Sequence, residues 1–272
     1  MMPRSVRLLN SIPAMEQSPP DPSETAVVID ALRATTSMVA ALAAGARAIW
    51  PCREVDEARQ WASLKSGALL AGERQGLPLP GFDFGNSPAE FTASRLAGRE
   101  LVFTTSNGTR AILACASAKC VMLAAMTNLR AVVKRLVAEP RIVIACAGAN
   151  DCESLEDLLV AGAIIQRLRV ALGGAKDAEY GTSELASSGM RDHVFGERRT
   201  GDGGEVERAR CLWLEHSRSP RELEAAFHAS PGGRHLHEIG MQADIPLSLE
   251  IDRFDLVPIF VAATKCVTAG GE

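Results

Sequence analysis

Several short segments of this 272-residue chain place carboxylates, hydroxyls or guanidinium groups directly after an apolar run. The first carries Asp30, Arg33, Thr35 and Thr36. The second is TTSNGT, with Thr104, Thr105, Ser106, Asn107, Gly108 and Thr109, followed by Arg110. The third holds Gly148, Asn150, Asp151, Glu153, Glu156 and Asp157. Glu73 and Arg74 follow another apolar run, and Asp83, Asn86 and Ser87 lie in the glycine- and proline-rich stretch after them. Arginine forks match phosphate and carboxylate, and magnesium takes oxygen ligands, so this mixture suits an anionic substrate beside a hard cation. Gly108 permits close approach of the backbone. Ser, Thr, Asn and Asp are also the ordinary helix caps, so capping accounts for any one segment taken singly. Their recurrence is what points to a site.

Residues 27–29 form a buried strand that ends on Asp30, a short loop carries Arg33, Thr35 and Thr36, and an almost wholly apolar helix follows, closed by Gly45 before a strand at 48–50. The unit repeats, with strand 101–104, loop 105–109, helix 110–116 and strand 120–123. It recurs more loosely as strand 141–146, loop 147–154 and helix 155–172, where Ser154 and Asp157 approximate a capping box. The pattern also predicts a first strand at 5–9, an amphipathic helix over 54–65 and a short strand at 68–71. Residues 18–25 read as a polar, proline-rich surface stretch, and 75–88 as a long irregular loop. Helices are expected at 205–215 and 220–229, a turn and short helix at 230–240, and a last strand at 257–262. Residues 173–205, rich in glycine and charge, read as a loop or mobile insert. Such alternation gives an α/β fold, a mostly parallel or mixed sheet with helices on both faces. In open sheets of this kind, ligands bind beyond the carboxyl ends of strands, where the three loops would gather on one edge.

The chain has the length of a single α/β domain, or of two similar halves at about 1–140 and 141–272. A net charge of −4 and 4% aromatic residues give no footing for nucleic acid. No apolar run reaches the eighteen residues of a membrane span, and no signal-peptide core is evident, so the cytoplasm is the default location. The seven cysteines include no CxxC pair and read mainly as small core residues. The five histidines all fall in the C-terminal third without metal-site spacing and read as exposed. The apolar runs and an unpaired sheet edge allow a homodimer. P-loop, cysteine-phosphatase, DxD and GxSxG signatures are all absent. What remains suits a Mg²⁺-assisted reaction on a small anionic phosphoester.

DALRATT at 30–36, GERQG at 72–76, GFDFGNSP at 81–88 and TTSNGT at 104–109 together resemble the 2-phosphosulfolactate phosphatase family. CAG at 146–148, SLEDLLVAG at 154–162, SPGGRHLHEIG at 230–240 and the following Asp244 extend the resemblance in the same order. It implies a three-layer α/β/α fold and a Mg²⁺-dependent phosphatase that converts 2-phospho-3-sulfolactate to 3-sulfolactate and phosphate, toward coenzyme M. On that reading Asp30, Glu73 and Asp157 hold the metal, and Arg33 and Arg74 neutralise the transferring phosphoryl group. Thr35, Thr36, Thr105, Asn107, Gly108 and Thr109 grip its remaining oxygens. Arg110, Asn86 and Ser87 serve the substrate's other acidic groups. Attack by water and attack by a carboxylate such as Asp30 both remain open. The alternatives are a phosphatase for another small phosphoester and a non-catalytic anion-binding protein.

Overall fold

The computed structural model describes residues 5–173 and 203–270. Its ten strands form one mixed, mostly parallel sheet in the order β1-β8-β2-β7-β9-β10-β3-β6-β4-β5. The strands are β1 (Ser5–Leu9), β2 (Thr25–Ile29), β3 (Ala48–Cys52), β4 (Leu69–Arg74), β5 (Leu77–Pro78), β6 (Glu100–Thr104), β7 (Cys120–Ala124), β8 (Arg141–Cys146), β9 (Ile259–Val261) and β10 (Cys266–Thr268). The helices up to the third loop are α1 (Ile12–Gln17), α2 (Ala34–Ala43), α3 (Val55–Leu64), α4 (Ala93–Leu96), α5 (Gly108–Ala114) and α6 (Leu129–Leu136). Beyond it lie α7 (Leu155–Ala171), α8 (Gly203–His216), α9 (Pro220–Ala229), α10 (Pro231–Glu238) and α11 (Asp244–Ser248).

β2, sequence TAVVI, is buried at every position, as expected of an inner parallel strand covered on both faces. Val28 on one face packs with Met15, Met38, Ile112 and Phe103, a core that α1, α2 and α5 cover. Val27 and Ile29 on the other face pack with α6, α7, α9 and α10 through residues such as Leu136, Leu159, Phe227 and Leu236. α2 is buried nearly all round, consistent with its unbroken small and apolar sequence, and ends at Gly45 with φ +93°. β8 lies between β1 and β2, so residues on both sides of position 140 share one sheet.

The sheet consists of two parallel groups, β1-β8-β2-β7 and β3-β6-β4, joined by the antiparallel β9 and β10. Three antiparallel steps reverse direction, so β6 and β4 run opposite to β2 and β8. The three loops therefore do not leave one straight edge, as the repeat pattern suggested. They meet nonetheless at the junction between the two groups. Contacts across that junction are direct: Arg33 Nη2 donates to Gly76 O at 2.5 Å, and Gly108 packs on Asp30.

Other differences from the sequence reading have local causes. The stretch between β1 and β2 begins with α1, which buries Ile12 and Met15 and carries a proline in its first turn, where a missing N–H costs nothing. β4 runs three residues past the expected end at Ala71, so Glu73 and Arg74 belong to the strand, and the loop beyond begins with the hairpin partner β5. β10 and α6 were not foreseen. The expected insert at 173–205 lies mostly outside the described residues, and its last three residues open α8. Among the described residues no helix is long and apolar enough to cross a membrane.

Candidate active site

Asp30 closes β2 and turns its side chain back on the start of α2, where Oδ1 accepts the Ala34 N–H at 3.1 Å. Gly108, first residue of α5, sits so close that a Cβ there would lie 2.6 Å from Asp30 Oδ2. The glycine of TTSNGT therefore serves the approach of two loops to each other. The paired threonines build those loops. Thr35 Oγ1 accepts the Asp30 N–H at 3.1 Å and lies 2.7 Å from Ala124 O, while the Thr36 hydroxyl donates to Ala31 O at 2.8 Å. Thr105 and Thr109 exchange reciprocal bonds, each hydroxyl accepting the other's N–H at 3.1 Å. All four hydroxyls expected to grip phosphate are thus engaged with backbone, the capping role that such residues share.

A cavity of about 400 Å³ opens over this junction, with Asp30, Arg33, Glu73, Asn86, Asn107 and Asp157 among its lining residues. Asp157, in the first turn of α7, accepts the Ala31 N–H at 2.8 Å and the Gly148 N–H at 2.9 Å. Glu73 reaches from β4 to the second loop, accepting the Ser106 and Gly76 N–H groups, both at 2.7 Å. Arg33 is 4% exposed; it pairs with Asp244 at 2.6 Å, and Asp244 in turn accepts the Ser87 hydroxyl at 2.5 Å. Ser87 therefore supports Asp244. Arg74 turns away from the cavity to Arg53 O at 2.8 Å and Thr104 Oγ1 at 2.9 Å, which ties β4 to the neighbouring strand ends. Arg110 pairs with Asp151 at 3.3 Å at a solvent-facing position.

The cavity also gathers residues to which the sequence assigned no role in the site, Glu156 of the third loop among them. Glu156 lies beside Asp157, and Arg234 and His235 come from α10. The signal for α10 was the glycine pair in SPGGRHLHEIG. A Cβ on Gly232 would collide with Glu156 Oε1, and one on Gly233 with Phe227 O, so only glycines let this helix start against α7. Gly232 donates its N–H to Glu156 Oε1 at 3.0 Å. His235 sets its Nε2 3.0 Å from Gln75 O, which ties α10 to the β4–β5 turn.

Four acidic side chains in one buried space repel each other. Burial is the chief reason that the Asp30 carboxyl is pushed up to about 7, with the charges of Glu73 and Glu156 adding to it. Burial first, then Asp30 and Glu156, hold Asp157 well above the usual carboxylate range, and Glu156 is raised chiefly by burial. The buried thiols of Cys52, Cys115 and Cys146 offer no rival nucleophile: burial pushes the first two up to about 12 and holds the third well above the ordinary thiol range. Such a carboxylate group fits a hard divalent cation, since its donors are all oxygen and Glu156 Oε2 is buried without a hydrogen-bond partner among the described residues. Among the described residues, however, no three acidic, histidine or cysteine side chains converge to enclose an ion by themselves. The expected set of Asp30, Glu73 and Asp157 is therefore no ready-made cage, because Glu73 and Asp157 are drawn toward the amides they hold. Magnesium needs only one or two carboxylates where waters and substrate oxygens complete its shell.

Residues 12–263 match the family model described as 2-phosphosulpholactate phosphatase. A protein of Thermotoga petrophila named "Probable 2-phosphosulfolactate phosphatase" is 35% identical over 87% of this chain and 89% of its own length. One of the same name from Symbiobacterium thermophilum is 36% identical over 93% of this chain and 96% of its own length. A third, from Thermotoga maritima, is 43% identical over 53% of this chain and 63% of its own length.

Proposed function

Because the chain belongs to the 2-phosphosulfolactate phosphatase family, we propose that it hydrolyses the phosphate ester of 2-phospho-3-sulfolactate with the help of Mg²⁺. The observation that carries this reading is the cavity itself, in which Asp30 stands at a strand's end among three further buried carboxylates and two arginines. Its volume of about 400 Å³ suits a small ligand. A substrate with phosphate, carboxylate and sulfonate groups meets a negative cavity, so a cation must lie between them. Asp30, with Glu73, Glu156 and Asp157 around it, would hold that cation. When bound, Mg²⁺ supplies the charge that lets the phosphate enter and offsets what develops on its oxygens.

The protein's own groups do the rest. In the hydrolysis, water oxygen bonds to phosphorus, the ester P–O bond breaks, and a proton ends on the hydroxyl of sulfolactate. Arg33, held by Asp244 and Gly76 O, keeps a fixed positive charge in the wall beside Asp30. Arg234 donates to Ala229 O and has no ion-pair partner among the described residues, so its fork is open to an acidic group of the substrate. Arg234→Ala is expected to raise KM by about tenfold or more, matching a lost hydrogen bond to a charged group of ~1.5–3 kcal/mol. Arg110→Ala, outside the cavity lining, should change KM less than about twofold, in keeping with the small worth of an exposed ion pair. Steady-state kinetics of the two variants decide this.

Phosphate release from 2-phospho-3-sulfolactate, phospholactate, phosphoglycerate and an aryl phosphate, each with Mg²⁺ or with EDTA, tests the function. The sulfonated ester should give the highest kcat/KM, and EDTA should abolish turnover. Preference for another ester would keep the reaction class and replace the substrate. No release from any of them would leave an anion-binding protein.

A further inference from the structure

The cavity's four buried carboxylates are not equivalent. Asp157 Oδ1 accepts the Ala31 N–H at 2.8 Å and its Oδ2 accepts the Gly148 N–H at 2.9 Å. Glu73 Oε1 accepts the Ser106 N–H at 2.7 Å, while Oε2 takes the Gly76 N–H at 2.7 Å and the Ser106 hydroxyl at 3.2 Å. Each of these side chains spans two loops and fastens both, so neither has an oxygen without a donor. A shift of either toward an ion would strip amides in two loops at once.

Asp30 and Glu156 differ. Asp30 commits only Oδ1, to the Ala34 N–H at 3.1 Å, and Oδ2 has no hydrogen-bond partner among the described residues. Glu156 commits Oε1 to the Gly232 N–H at 3.0 Å, and Oε2 is buried with no hydrogen-bond partner among the described residues. Their loops meet at Gly232, where a Cβ would strike Glu156 Oε1 and lie 3.4 Å from Leu32 Cβ, two residues beyond Asp30. A buried acceptor such as Glu156 Oε2 is normally satisfied, and Asp30 and Glu156 line the same cavity.

We propose that Asp30 Oδ2 and Glu156 Oε2 are the protein oxygens that bind the divalent cation of this site, and that Glu73 and Asp157 position the loops without touching it. The assignment rests on the phosphatase reading for the presence of a cation. It narrows the four carboxylates named above to two. The division also explains why two adjacent acidic residues open α7: one builds the loop and the other faces the ion.

The test is Mn²⁺ binding to the full chain, followed by loss of the free-ion EPR signal, with and without inorganic phosphate. Folding of each variant is checked by circular dichroism. E156Q and D30N should weaken Mn²⁺ binding by at least about tenfold, and E73Q by less than about threefold. Should E156Q fail to fold, E156D is read in the same assay, since it keeps the charge but withdraws it by one methylene. Unchanged affinity in a folded Glu156 variant overturns the assignment, as does absence of Mn²⁺ binding by the wild type under both conditions. Failure to release phosphate from any ester, with Mn²⁺ binding intact and dependent on Glu156, would overturn the reaction instead and leave the cation site standing.

Discussion

Asp30→Asn is expected to lower phosphate release by about 10²–10³-fold or more while making the cation-free protein more stable at pH 8. The loss follows because Asp30 is the carboxylate at the centre of the cavity. The gain follows from linkage. Burial pushes the Asp30 carboxyl from 3.8 up to about 7 in the folded protein, so folding favours its protonated form. Stability from this group is fully present below pH 4 and is lost as pH rises through about 7. With 1.36 kcal/mol per unit, the loss approaches about 4 kcal/mol above neutrality. Asparagine keeps the acceptor for the Ala34 N–H but carries no charge, so the variant should lack that dependence. Melting curves in EDTA should therefore show the variant ahead by about 10 °C at pH 8 and nearly level at pH 4. Added Mg²⁺ should raise the wild type and leave the variant nearly unmoved. A variant less stable than wild type at pH 8 would contradict this account.

Asp244→Ala carries the largest expected cost to the fold, about 3–5 kcal/mol, because it leaves Arg33 charged and buried with its partner gone. Arg33 is 4% exposed and Asp244 also 4%, so water cannot take the partner's place. The Ser87 hydroxyl loses its acceptor as well. Urea denaturation should show the midpoint falling while the slope is kept. Replacing the pair together, Arg33→Met with Asp244→Leu, should recover much of the loss, since an apolar pair of similar volume is often as stable as the ions. Phosphate release should not recover with it, because Arg33 lines the cavity. Recovery of both would reduce the pair to scaffolding.

Asp30 was legible because a fully apolar strand stops on a carboxylate before an apolar helix, and both pattern and position survive folding. Asn107, Glu73 and Asp157 were visible for a related reason, since each lies where a strand or helix starts or ends, and Asn86 because it lies in a glycine- and proline-rich loop. The threonine hydroxyls were ambiguous in principle: a residue that caps a loop and one that grips an anion have the same type and the same place in sequence. Asp244 carried no local signal, because its partner Arg33 is 211 residues away. Arg234 and His235 sat in a histidine-bearing helix that read as surface, and the glycines before it were the only hint of close packing. The fold class followed from the strand–helix alternation. The reversal of direction within the sheet did not, because β9 and β10 are three residues each and show no period.

That reversal has a consequence for how the protein is made. Among the described residues β9 and β10 alone join the two parallel groups, yet they come from the segment after Val257. On a ribosome, both groups can pair their own strands early, while the seam between them stays open until that segment emerges. Until then β7 and β3 each present an unpaired edge, the kind of surface on which nascent chains join wrong partners. The two halves of the cavity, one at the end of β2 and the other at the end of β4, are therefore brought into lasting register only late in synthesis.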